Sequence, residues 1–283
     1  KRASDLFGHE DYIRAEMNRI SRLGRYVGPD IILAVLTNYL DSQHPEASLW
    51  ESEPGVYTVR LTSQQWRTAA EVDRPIWEHW MTIIQPDEVV SPTGFLFISG
   101  GSVNSKEPGV PSPIFTDMAV RTKSVVAELK MIPYEPLTFK DETKSRNEDA
   151  IISYTWEKFM RTGDETWPLR LPMTKAAVRA LDTVTSVSAA TEGGKKSAKV
   201  EKFIVSGGSK RGWTTWTTAA VDDRVIAIVP YVIDCLNLEK SLEHHYRAYG
   251  FWAPAVGDYL NTVTWAGTPQ HKALMDIEDP YSY

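Results

Sequence analysis

One cysteine, Cys235, stands among 283 residues, so no disulfide can close within the chain. It follows an apolar run and reads as a buried thiol. No stretch reaches the roughly 18 apolar residues of a membrane span. The longest candidate, residues 31–40, is too short and carries Thr37 and Asn38. The opening Lys1-Arg2-Ala3-Ser4-Asp5 has no apolar signal region, which fits a processed chain or one that starts inside a longer precursor. Positive charge is not in excess. The net charge of −6 argues against nucleic acid or an anionic membrane as the main partner. There is no G-x-G-x-x-G, no P-loop and no His/Cys cluster with zinc-ligand spacing. His244-His245 alone does not make a metal site. No cofactor and no metal is therefore expected. Internal repeats and low-complexity segments are also missing.

What is present fits a packed α/β domain. Hydrophobic residues make up 42% and charged residues 24%, ordinary globular usage. Ten Trp and twelve Tyr are many for this length; core packing explains them first and a pocket lining second. Residues 1–30 read as a helical appendage, with an amphipathic helix over 9–23, and 31–40 as a short helix on the domain that follows. Residues 57–61 alternate as a half-buried strand, and 75–84 form a second one. His79 falls inside the second strand and reads as a packed or paired histidine. Residues 94–99 are continuously apolar, as suits a strand covered on both faces. Gly100-Gly101-Ser102 follows at once.

Further on, the pattern predicts a helix over 115–122 and a strand over 124–129. Residues 133–171 look like an insertion holding a helix over 149–161. A second helix is expected over 174–190. The run at Phe203 and residues 225–233 are apolar strands with a helix between them. Residues 236–277 read as cap-like helices joined by an aromatic loop over 250–268. Strand–helix alternation after residue 94 predicts a mostly parallel sheet with helices on both faces.

Lys202-Phe203-Ile204-Val205-Ser206-Gly207-Gly208-Ser209-Lys210-Arg211-Gly212-Trp213 carries the chemistry. A β-branched run drops into two glycines, a serine and then an amphipathic helix. This is how a nucleophile elbow is written, with the pattern G-x-S-x-G. The second half departs: Arg211 fills the usual small position and Gly212 comes one residue later. Ser209 is the candidate nucleophile. The candidate oxyanion donors are the backbone N–H of Lys210 and that of Gly101, in the loop after the third strand. Lys210, Arg211, Arg247 and Trp213 are candidate substrate contacts, and the three cations favour an anionic substrate. An anion-cradling helix start is the competing reading of Gly207-Gly208, but the spaced glycines of a P-loop are missing. The acid and base are less well marked. Asp234 lies at the end of the last apolar strand, and His244 and His245 on the helix after it.

These residues resemble the PhoPQ-activated pathogenicity-related protein family. The likeness runs from the Gly207–Trp216 signature through Ile228-Val229-Pro230, Glu243–Trp252 and Asp279-Pro280-Tyr281. Upstream it includes Arg74–Trp80, Glu148-Asp149-Ala150, Thr162–Pro168 and Leu171–Lys175. It covers about residue 33 to the end. The resemblance implies an α/β-hydrolase fold with Ser209 at the nucleophile position. It also implies an exported, extracellular protein. In the family, a further strand, an acidic turn and a histidine follow the Asp-Pro-Tyr element, so the family's acid and base have no counterpart here. The expected domain over 31–283 is then incomplete at its C-terminal side, with its last strands lacking, and a second polypeptide completing the sheet is one expected partner. A serine hydrolase of ester or amide bonds, acting on a small-molecule or peptide substrate, remains the first expectation. A secreted signalling or interaction protein with little catalysis is the second. A structural subunit of a larger assembly, suggested by the N-terminal helix, is the third.

Overall fold

The computed structural model describes residues 48–53, 55–190 and 199–283. The expected appendage over 1–30, the helix over 31–40 and the turn at Gly193-Gly194 lie outside them. The sheet has seven strands in the order β1-β2-β3-β5-β4-β6-β7. These are β1 (Ser48–Glu53), β2 (Val56–Gln65), β3 (Ile76–Ile84), β4 (Thr93–Ile98), β5 (Val126–Leu129), β6 (Lys202–Gly208) and β7 (Val225–Tyr231). The first three form an antiparallel meander, and β3 joins antiparallel to β5. From β5 through β4 and β6 to β7 every pairing is parallel. β1 had no signal, because Ser-Leu-Trp-Glu-Ser-Glu lacks a sustained alternation. It forms by pairing Leu49 opposite Val59.

Helices cover both faces of the parallel half. On one side α1 (Pro113–Thr122) packs Phe115, Met118 and Ala119 against Ile84, Phe95 and Val126. On the other lie α2 (Glu148–Thr162), α3 (Arg170–Ala190) and α4 (Lys210–Val221). β4 shows why its sequence is apolar throughout: Leu96 and Ile98 point into the large core, while Phe95 and Phe97 meet α1. The aromatics behave chiefly as core. Trp66, Trp77, Phe139, Tyr154 and Trp167 are all buried and share edge or stacked contacts. The stretch 133–171 belongs to this core, since Phe139, Ile151 and Ile152 are fully buried in it.

Two expectations change in detail. α3 starts at Arg170 instead of residue 174, because Pro172 sits in the first turn, where its missing N–H costs no hydrogen bond. The stretch 250–268 is not a plain loop. It holds a 3₁₀ turn (Pro254–Tyr259) and the one-turn α6 (Leu260–Val263), between α5 (Leu238–Tyr249) and α7 (Pro269–Glu278). Cys235 is buried as expected, and burial pushes its thiol up to about 12, so it is inert at neutral pH.

Candidate active site

β4 and β6 are neighbours, and the chain leaves them in opposite directions across the sheet. In open parallel sheets the crevice beyond such a switch point, at the carboxyl ends of the strands, is where ligands bind. Both marked loops sit there. Ile98 pairs with Gly207, so Gly100-Gly101 and Ser209 leave adjacent strands side by side.

Ser209 has φ 54 and ψ −128. That conformation is costly for a residue with a Cβ, by about 1–3 kcal/mol. It is held by the Ser209 N–H donating to the Tyr231 carbonyl at 3.0 Å and by Ser209 O accepting from Trp213 N at 3.1 Å. A strand ending in such a strained serine and running directly into α4 is the geometry of a nucleophile elbow. The displaced glycine also finds its reason. A Cβ on Gly212 would stand 2.7 Å from the Gly207 carbonyl oxygen and 2.8 Å from Ile233. The close packing of helix on strand therefore falls at the third residue after the serine.

Arg211, freed from that packing role, ties the site's loops together. Its Nε donates to the Ile132 carbonyl at 2.6 Å, and its guanidinium donates to Glu148 at 2.7 Å. A Cβ on Gly100 would lie 2.6 Å from the same guanidinium, so the glycine loop presses directly on Arg211. Gly101 has φ +133. Lys210 is buried, and its ammonium is paired with Glu148 and lies 3.5 Å from Asp149. Burial pushes the Glu148 carboxyl up, but hydrogen bonds from Lys210 and Arg211 prevail and hold it at about 2. Burial raises the neighbouring Glu135 to about 7. Neither Lys210 nor Arg211 thus presents an unpaired cation to a substrate.

In front of Ser209 lies a cavity of ≈ 680 Å³. Lys210 and Trp213 line it, whereas Gly101 does not. Arg247 is on its wall but mostly exposed and paired with Glu243 at 2.6 Å. The expected acid and base do not meet there. Asp234 is exposed and outside the walls, and His244 is exposed on α5. His245 accepts from the Ala253 N–H at 3.1 Å and stacks on Trp252, which makes it a brace for the chain after α5. No hydrogen bond joins the Ser209 hydroxyl to an acid or base among the described residues.

The sequence reading missed four residues that build this region. Asp149 accepts from the Tyr259 hydroxyl at 2.9 Å on the cavity wall. His271 lines the cavity from α7. Arg170 and Glu278 form a fully buried ion pair at 3.2 Å beneath the elbow. Arg170 also donates to the Lys210 carbonyl at 2.7 Å and lies over the Trp213 ring at 4.3 Å. Glu278 accepts from Trp156 Nε1 at 2.7 Å. Next to it, Asp279 caps α5 by accepting from Asn237 N and Leu238 N at 3.0 and 2.7 Å. Neither the 148–150 nor the 278–281 segment has a periodicity that announces this. Among the described residues no group of three or more His, Cys, Asp or Glu is placed to hold a metal ion.

The sequence pattern of PhoPQ-activated pathogenicity-related protein matches residues 44–283. The chain belongs to that family. A curated relative, autocrine proliferation repressor protein A of Dictyostelium discoideum, is 39% identical over 232 residues. That match takes in 80% of this chain but 46% of the relative, so the chain spans about half the relative's length. Among solved structures, acetyl xylan esterase 1 from Thermoanaerobacterium sp. superposes with a TM-score of 0.50 at 15% identity, covering 92% of this chain and 76% of the esterase. This family member therefore has an α/β-hydrolase fold. No helix among its described residues is long and apolar enough to cross a membrane.

Proposed function

We propose that this chain carries the nucleophile of a serine hydrolase that cleaves ester or amide bonds through an acyl-enzyme on Ser209. The strained Ser209 backbone at the strand–helix corner, opening on a cavity, carries this reading. A serine held at φ 54 and ψ −128 is disfavoured for folding, and backbone strain of this kind clusters at active sites. In the reaction, Ser209 Oγ attacks the carbonyl carbon and its proton passes to a base. The tetrahedral oxyanion accepts from the N–H of Lys210, which lines the cavity, and the leaving alcohol or amine takes the proton back. The base enters from outside Asp234, His244 and His245, which stand away from the cavity.

A second reading is favoured by a specific observation: the Ser209 hydroxyl has no base or acid beside it among the described residues, and the amoebal relative is named for repressing proliferation in an autocrine manner. On that reading the chain keeps the fold and signals through its surface. We propose an extracellular location as well, on the word autocrine in the relative's name.

A fluorophosphonate probe on the intact native protein separates them. The first reading expects one covalent adduct on wild type, mapped to Ser209, and none on Ser209→Ala. An unlabelled wild type would favour the second. Where hydrolysis of an activated ester is measurable, Ser209→Ala should lower kcat by several orders of magnitude.

A further inference from the structure

The cavity before Ser209 is walled by five aromatic rings, those of Trp156, Trp213, Tyr246, Trp252 and Tyr259. Its cations do not remain available. Lys210 is paired with Glu148, while Lys240 and Arg247 both pair with Glu243, at 3.1 and 2.6 Å. One polar group on the wall stands apart. The His271 side chain is only 9% exposed, and its Nδ1 has no hydrogen-bond partner. The nearest carboxylate oxygen, Oε2 of Glu239, is 3.9 Å away, too far for a hydrogen bond. A buried polar atom left without a partner is destabilising, and a ligand atom that bonds it relieves that cost. Burial also holds His271 below its ordinary pKa, against the pull of Glu239, so the ring is neutral at physiological pH. A neutral imidazole has one donor and one acceptor to offer and no charge to meet an anion.

We propose that the cavity is the site for a bulky aromatic or branched apolar group of the substrate that carries no negative charge, and that His271 sets its specificity by hydrogen-bonding one polar atom of that group. This rests on the hydrolase reading for the word substrate, but not for the binding itself. It replaces the anionic substrate expected from Lys210, Arg211 and Arg247, because each of those cations already has its carboxylate. An aromatic group of this kind is favoured because it buries its apolar surface against the rings. A carboxylate would enter without a free counter-ion and lose its hydration.

Binding is measured by quenching of tryptophan fluorescence in the intact protein, with phenylacetamide, phenylacetate and acetamide as probes. The same titrations are repeated on Ser209→Ala, which removes the reaction but not the cavity. Phenylacetamide should bind at least tenfold tighter than either other probe in both proteins. His271→Phe should weaken phenylacetamide about tenfold, the loss of one buried hydrogen bond, and leave toluene unchanged or tighter. His271→Gln, which keeps a donor and an acceptor, should recover most of the affinity. Circular dichroism checks that each variant is folded, and the probe preferences of wild type stand without any variant. Equal or tighter binding of phenylacetate, or no difference between phenylacetamide and acetamide, would overturn the proposal. Binding with these preferences in a protein that no fluorophosphonate labels would leave the aromatic site standing and remove the hydrolase.

Discussion

His79 shows how one side chain can set the response of this domain to acid. It sits on β3, fully buried, with Nε2 2.9 Å from the Ser63 hydroxyl and its ring against Trp77 and Tyr134. Burial lowers its pKa from the ordinary value to about 4, while hydrogen bonding by the Lys130 and Met131 backbone opposes the shift. Above about pH 6.5 the ring is neutral in both the folded and the unfolded chain. As pH falls toward about 4 only the unfolded chain takes up the proton, so stability is lost across that window. The group alone should make the protein about 2 kcal/mol less stable at pH 5 than at pH 7.5. Urea midpoints at the two pH values check this. His79→Gln, which keeps a partner for Ser63, should lose correspondingly less stability between them.

The elbow helix α4 is held at its first turn by elements far apart in sequence. Arg170, at the start of α3, grips the Lys210 carbonyl and the Thr214 hydroxyl, at 2.7 and 3.0 Å. Its partner Glu278 ends α7 and also receives Trp156 of α2. The Glu278 carbonyl accepts from Trp213 Nε1 on α4 itself. One buried ion pair thus fastens α2, α3, α4 and α7 under the nucleophile. Such pairs add little net stability when intact, because both ions lose their hydration, but removing one partner leaves a buried charge. Glu278→Ala is expected to destabilise by about 3–5 kcal/mol. It should also slow fluorophosphonate labelling of whatever protein remains folded, since Arg170 no longer holds the turn that follows Ser209. Equilibrium unfolding and labelling rates read the two effects separately.

Among the described residues, the β7 edge of the sheet and α5 carry much exposed apolar surface. β7 pairs only with β6 among the described strands, and it exposes Ile226, Val229 and Tyr231, with Val232 just beyond. On the same flank of the sequence, α5 buries none of its residues and leaves Tyr246 and Tyr249 exposed. A free, apolar edge strand is a template for pairing with another strand. The 283-residue chain taken alone should therefore associate as its concentration rises. Light scattering should show this, and Val229→Lys should reduce it without changing far-UV circular dichroism. A chain that stays monomeric at high concentration would mean that β7 is already protected.

Local chemistry accounts for what was legible in the sequence. Gly207-Gly208-Ser209 after a β-branched run forces a strand to turn sharply into a helix, and Ser209 adopts the strained backbone that such a corner requires. The apolar run at Phe95–Ile98 has to be covered on both faces, and it is. These are properties of neighbouring residues, so a short window contains them. Tertiary structure alone decided which charges remain free and what stands beside the serine. Lys210 and Arg211 read as anion binders until a carboxylate some sixty residues earlier, Glu148, meets both. His244 and His245 fall in the right order along the chain, yet α5 turns them from the cavity and α7 brings His271 instead. Arg170 and Glu278, 108 residues apart, have no mark in their own segments. Pairing and burial depend on how distant elements pack, and desolvation sets the cost and the charge of each buried group only once that packing exists.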